Sequence, residues 1–301
     1  MSLRRARADA EPNADALRRD ALAERVVLFG LSLPALTLVI VTMVIPVAWL
    51  FWLSFLGDDG SMSLINYQRL IRQPSYARIF LATFEISALT TAICVLLGYP
   101  LAYVLSQLPP RLANLCMIGV LMPFWTSILV RTYAWLVLLQ RHGLINDWAI
   151  RLGLWNQPLT LVHNFGGTLI GLIHIMLPFL ILPVYASMRA IDRVYLKAAA
   201  NLGASPVHVF WRVFFPLSLP GLLAGMLIVF ILCLGSYVTP EMLGGGRVIM
   251  VANAIATDIQ LFFNWGAASA LGVVLLVLTS AILYAASRLI RLNRIFGGHG
   301  P

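Results

Sequence analysis

Residues 196–221 read LKAAANLGASPVHVFWRVFFPLSLPG, a short, punctuated unit set between two long apolar runs. Asp192 is placed to cap a helix from Arg193 to Leu202, and Gly203 stands where a helix C-terminus wants a left-handed residue. A second helix is predicted at once, with Ser205 as its cap, Pro206 in its first position and Pro216 as its stop. Val207, Phe210, Trp211 and Phe214 recur at i, i+3, i+4 and i+7, so one face is apolar while His208 and Arg212 point elsewhere. Ala198, Ala199 and Ala200 give the first helix a surface that another backbone can approach closely. On the residues alone, an amphipathic hairpin lying in the lipid interface remains one reading of the pair.

The surroundings decide the class of protein. A chain of 301 residues that is 60% hydrophobic and 11% charged, with a mean hydropathy of +0.87, has too little polar surface to cover one soluble core. Crossing ~30 Å of hydrocarbon takes roughly 20 apolar residues as a helix. Six runs qualify: 26–55, 80–106, 112–139, 165–188, 217–238 and 266–290. The prolines inside them (Pro34, Pro46, Pro100, Pro123, Pro178, Pro183) read as kinks whose freed carbonyls neighbouring helices satisfy. Residues 1–25 are polar and lack the apolar core of a signal peptide, so a cleaved leader is not expected.

Basic residues orient the spans, because short loops rich in Lys and Arg stay cytoplasmic. Most of the 21 fall in the N-terminal tail (Arg4, Arg5, Arg7, Arg18, Arg19, Arg25), beside the opening stretch (Arg189, Arg193, Lys197, Arg212) and near the C-terminus (Arg288, Arg291, Arg294). The expected arrangement puts a tail at 1–25, the loop at 190–216 and a tail at 291–301 all in the cytoplasm. The net charge of +9 then meets anionic headgroups, and no nucleic-acid-binding module accompanies it.

Chemistry within the chain is hard to find. Cys94, Cys116 and Cys233 lie in apolar runs without metal or redox spacing, and the five histidines form no metal pair. His174 falls inside a span and reads as a packing residue. A phosphate-binding loop needs G-x-x-x-x-G-K-[ST], whereas the sole lysine, Lys197, sits in LKAAA. Uphill transport with ATP would therefore need another subunit to hydrolyse it.

Several polar residues invite a transport reading. Asn253, Thr257, Gln260 and Asn264 form one polar stripe on an apolar helix that is expected to lie along a surface, after a glycine hinge at 244–246. Gly221 and Gly225 make a G-x-x-x-G suited to close helix packing. Glu85 and Arg131 are the two charges well inside the spans and are expected to pair, or to leave Glu85 facing a passing cation. Trp135, Tyr237 and Glu241 fall near the expected outer mouth and are candidate cation-facing groups. Paired inverted repeats and interrupted helices, the marks of a secondary transporter, are not evident.

The opening stretch resembles the "EAA" loop of binding-protein-dependent ABC importer permeases: E-A-A, three residues, G, nine residues, then I-x-L-P. Ala198, Ala199, Gly203 and Pro216 match, with Val213 and Phe215 for the apolar pair and Lys197 in place of the glutamate. PFWTSILVRTYAWLVLLQRHGLIN (Pro123 to Asn146), GSYVTPEMLGGGRVIMVANAI (Gly235 to Ile255) and the following NWGAASAL are similar to the spermidine/putrescine branch. The resemblance implies an all-α membrane protein with the six-helix type I importer permease fold over residues 26–290, in a bacterial inner membrane. It implies a second permease subunit, cytoplasmic ATPases that hold the ATP and Mg, and an extracytoplasmic binding protein, with no cofactor in this chain. The loop would be a coupling helix seated on the ATPase, with Phe210 and Trp211 on its force-bearing face.

Overall fold

The computed structural model describes residues 24, 27, 29–57 and 60–296, with side chains as far as residue 288. The basic N-terminal tail, apart from Glu24, the Asp58–Asp59 pair and the end of the C-terminal tail lie outside the described residues. The chain divides into two units, residues 1–53 and 54–301.

The first unit holds most of helix α1 (Phe29–Ser54), whose apolar window has no buried residue. Within it Ile40–Val44 form a π-helical turn, closed by the Ile45 N–H donating to the Ile40 carbonyl, one residue before Pro46. Proline lacks an N–H and crowds the preceding turn, and one extra residue in that turn relieves both faults without breaking the helix.

Among its described residues the second unit is built of helices joined by turns and loops, with one isolated bridge between Leu56 and Met62. In chain order it comprises α2 (Ile65–Arg72), α3 (Pro74–Gln107), α4 (Pro110–Trp125), α5 (Ile128–Leu138), α6 (Leu144–Arg151), α7 (Phe165–Arg189), α8 (Arg193–Asn201), α9 (Pro206–Leu234), α10 (Val238–Gly244), α11 (Val251–Gln260) and α12 (Trp265–Phe296). Five helices are long and apolar enough to span: α1, α3, α7, α9 and α12. Helices α4 and α5 qualify together as a sixth only as a bent pair.

That bend is far sharper than the kink expected at Pro123 within the run 112–139. Helix α4 ends in a tight 3-10 turn at Met122–Trp125, Thr126 and Ser127 are extended, and α5 leaves at 95°. The Thr126 hydroxyl and N–H both donate to the Pro123 carbonyl, a local alternative to the helical ladder of the kind Thr and Ser favour.

A second correction concerns Pro216, which does not stop the helix. The turn at Phe210–Phe214 is π-helical, and the Phe215 N–H reaches back to the Phe210 carbonyl. The predicted second short helix is therefore the first three turns of α9, and the fifth span begins at Pro206. The same device precedes Pro46 and Pro216, two residues of identical local problem.

Helices α3, α7 and α9 make the packed centre, where Cys94, Leu105, Leu180, Ile181, Val229 and Cys233 are buried. Lipid tails are as apolar as leucine, so close backbone approach has to supply the attraction. Gly221 and Gly225 do this: an added Cβ at Gly221 would stand 2.6 Å from the Pro183 carbonyl and overlap Ser187 Cβ, and one at Gly225 would stand 3.1 Å from Leu180. Buried hydroxyls on α3 are folded onto the preceding turn, Ser87 to the Thr83 carbonyl and Thr91 to the Ser87 carbonyl, both at 2.7 Å. Cys94 and Cys233 are buried while Cys116 is exposed on α4.

Candidate functional site

Two clusters stand at opposite ends of the central bundle. One is the hairpin of α8 and the start of α9. Asp192 caps α8 by accepting from the Val194 N–H at 2.9 Å. At the other end Gly203 adopts φ +85°, its N–H donates to the Ala200 carbonyl, and the Ala204 N–H donates to the Ala199 carbonyl. This pair of bonds turns the chain sharply, and Ser205, whose Oγ accepts from the His208 N–H, opens α9 with Pro206 in its first turn.

The hairpin has an inner and an outer side. Phe210 and Phe214 turn inward and meet the Tyr103 ring edge-on, with centroids 5.2 and 5.1 Å apart. Beneath them a cavity of about 260 Å³ is lined by Tyr103, Gln107, Leu196, Ala200, Phe210 and Phe214, among others. Outward stand Leu202, 90% exposed, and Trp211, 58% exposed, with Val194, Tyr195 and Val207 also exposed. Phe210, expected to share a face with Trp211, is half-buried, and its ring meets the exposed Trp211 ring edge-on with centroids 5.2 Å apart. Lys197, Ala198 and Pro216 are exposed and Ala199 is half-buried. Lys197 has no ion pair among the described residues. Val194, Tyr195 and Leu202 escaped the sequence reading, although an unpatterned leucine just before a C-terminal glycine was a visible signal.

The second cluster gathers α5, α7, α10 and α11. Trp135 Nε1 donates to His174 Nδ1 at 3.0 Å, and the rings meet edge-on. A nitrogen that accepts carries no proton, so neutral His174 keeps its own on Nε2. Thr132 and Thr239, both buried, bring their hydroxyls within 3.4 Å and join α5 to α10. Gly171 lets α10 press onto α7, since an added Cβ would stand 2.8 Å from Thr239 and overlap Leu243.

Glu85 and Arg131 are not an ion pair among the described residues. Glu85 is exposed, whereas Arg131 is half-buried with its Nε buried and unpartnered. Glu241 is exposed but one carboxylate oxygen accepts from Asn253 Nδ2 at 2.6 Å, and the same amide reaches the Tyr237 carbonyl at 3.3 Å. Asn253 is thereby drawn inside, while Thr257 and Asn264 are half-buried and Gln260 is exposed, so one member of the polar stripe expected on a surface-lying helix is buried. The N-terminus of α11 is held by a residue far away in the chain, the Thr83 hydroxyl, which accepts from the Val251 N–H at 2.9 Å. Among the described residues no group of His, Cys, Asp and Glu is arranged to hold a metal ion.

Asp258 is a further polar residue that the sequence reading passed over. It lies on α11, 9% exposed, with Oδ2 buried and unpartnered. Burial penalises the charged form, so its carboxyl is pushed above the usual 3.8. The fold then holds a proton that the unfolded chain releases, and stability falls as pH rises from the ordinary value through the raised one. Asp258→Asn should raise stability at neutral pH by about 1 kcal/mol and flatten that dependence. Melting the purified variant in detergent between acidic and neutral pH checks this, and an unchanged profile would refute it.

Comparisons with known proteins agree on one family. The chain is 35% identical over 237 residues to the spermidine/putrescine transport system permease protein PotB of Haemophilus influenzae, covering 77% of this chain and 82% of that protein. The protein of the same name from Escherichia coli is 32% identical over 241 residues, covering 77% and 87%. The fold is that of a subunit in the crystal structure of a bacterial ABC transporter involved in the import of the acidic polysaccharide alginate, with a TM-score of 0.70 at 16% identity, over 92% of this chain and 98% of that one. A family model matches residues 17–293. The chain belongs to the family of binding-protein-dependent transport system inner membrane components.

Proposed function

We propose that this chain is the permease subunit of an ATP-driven ABC importer of polyamines such as spermidine and putrescine. It works with a second permease subunit, cytoplasmic ATPases that bind ATP and Mg, and an extracytoplasmic binding protein, and holds no cofactor itself. Both termini and the hairpin face the cytoplasm, in keeping with the basic residues around them.

The observation that carries the reading is the hairpin's outer side. Leu202, Tyr195, Val194, Val207 and Trp211 stand exposed together on a sharply turned loop, an apolar surface that a protein partner would cover. Force applied there has a route inward. Helix α9 runs without a break from Pro206 to Leu234, so a displaced Trp211 carries Gly221 and Gly225 with it against α7. At its far end α9 passes through Gly235 and Ser236 into α10, whose Thr239 meets Thr132 one residue from Arg131. A pull on the hairpin thus reaches the Trp135, His174 and Arg131 cluster through packed helices.

The polyamine assignment rests on the names of the relatives, with Glu241, Tyr237, Trp135 and Glu85 as cation-facing groups. Arg131 favours a second reading. Its guanidinium, whose Nε is buried without a partner, would repel a polycation and suits an anionic solute instead. Uptake of labelled spermidine and of labelled sulfate, in a strain lacking other carriers, separates the two. Spermidine uptake that depends on this chain is the expected result; sulfate uptake without it would overturn the polyamine reading.

A further inference from the structure

The segment joining α5 to α7 builds an apolar groove that transport has no evident use for. Gly143 turns the chain immediately after α5, so tightly that an added Cβ would stand 2.6 Å from the Val137 carbonyl. Helix α6 follows at once, and at its end the Gly153 N–H donates to the Ile150 carbonyl and the Leu154 N–H to the Ala149 carbonyl, with Gly153 at φ +71°. That geometry is the two-bond helix stop whose hallmark is a chain folded back on its own last turn. Leu154 and Trp155 are returned over α6 in this way.

A second device fixes the returning segment. The buried side chain of Asn146 donates to the Gln140 and Leu159 carbonyls, both at 2.9 Å, and accepts from the Leu159 N–H at 2.9 Å. With these three bonds satisfied, residues 153–159 are held to the helix as part of a preformed shape.

The result is a cavity of about 320 Å³ lined by Leu144, Trp148, Leu152, Leu154, Trp155 and their neighbours. Leu144, Trp148 and Leu152 lie one turn apart on one side of the helix, and all are exposed, Leu152 by 72%. One polar atom of the lining stands out: Trp155 Nε1 is buried and has no hydrogen-bond partner. Such a donor costs free energy unless something accepts from it.

We propose that this groove seats a membrane phospholipid, with an acyl chain along Leu144, Trp148 and Leu152 and an ester carbonyl accepting from Trp155 Nε1. Three features select lipid over another occupant. The groove begins at Leu144, six residues beyond Leu138, the end of the bent span, and so stands at the edge of the hydrocarbon. Its tryptophans have the apolar body and polar tip that suit headgroup depth. Arg141, just before α6, and Arg151, its last residue, are both exposed, outnumber the single acidic Asp147 and supply the positive charge that a phosphate favours.

The test is a photo-crosslinker, p-benzoylphenylalanine, placed at Leu152 in one variant and at exposed Gln157 in another, in the full chain and in native membranes with its partners. Illumination followed by intact mass measurement should show a phospholipid adduct at Leu152 and little at Gln157. Adding Gly153→Val, which cannot keep its positive φ without strain, should abolish the Leu152 adduct while the chain still inserts. An adduct at Leu152 with the binding protein or the second permease would overturn the proposal. So would a lipid adduct equal at both positions, or one that survives loss of the turn. None of these readouts depends on which solute is transported.

Discussion

Leu202→Asp should abolish uptake and release the ATPase from the purified complex while leaving insertion and melting temperature unchanged. The argument is one of exposure. Leu202 is 90% exposed, so a carboxylate there stays solvated in the isolated chain and costs nothing in folding. In a covered interface the same carboxylate would be desolvated without a partner, a penalty of several kcal/mol and enough to empty the contact. Gly203→Val acts on the same hairpin by another route. Nothing stands within 4 Å of an added Cβ, so the substitution meets no clash. Its cost is backbone strain at φ +85°, about 1–2 kcal/mol, relieved by opening the turn. Both variants should insert and neither should transport. Normal uptake in Leu202→Asp combined with Trp211→Ala would show that the outer side carries no partner.

Gly221→Val should prevent accumulation of the folded chain. Its Cβ would overlap Ser187 and stand 2.6 Å from the Pro183 carbonyl, and a backbone oxygen in a proline-kinked helix has no rotamer by which to withdraw. Overpacking of this kind costs about 3 kcal/mol or more where the neighbour cannot relax. A marginally stable protein has only roughly 5–15 kcal/mol in total. Gly119→Val is the matched control, because nothing lies within 4 Å of its added Cβ. Membrane yield and thermal melting in detergent measure the difference. Equal yields from the two variants would mean that α7 and α9 do not meet through this glycine.

Some features were legible because their causes are local. Asp192 and Ser205 cap their helices, and Gly203 is left-handed, since each is settled within three residues of chain. The G-x-x-x-G at Gly221 and Gly225 was legible as a packing motif, although its partner was not. Proline was harder. Pro216 reads as a stop because a regular α-helix cannot hold it, yet a π-turn can, and nothing in FWRVF distinguishes the two outcomes. At Pro123 the opposite occurred, and the hydroxyl of Thr126 helped convert a kink into a 95° break.

The cluster around Arg131 shows where one-dimensional reasoning ends. Glu85 and Arg131 were paired on charge and depth, but depth along two helices leaves the rotation of each undetermined, and in the fold they are not joined. Asn253 was read with Thr257, Gln260 and Asn264 as one polar stripe on a helix lying along a surface. It turned inward because Glu241 and the Tyr237 carbonyl were there to accept from it.

The amino-acid order by itself determined that this protein is a bundle of membrane helices with a capped hairpin between its fourth and fifth long segments. Hydropathy, caps and glycine punctuation are sums over neighbouring residues and need no partner to act. Tertiary structure alone decided which side of the hairpin is exposed, that Trp135 meets His174, and that Thr83 closes a helix 168 residues away. A buried hydrogen bond depends on two groups arriving at one place, and that meeting is set by the packing of whole helices.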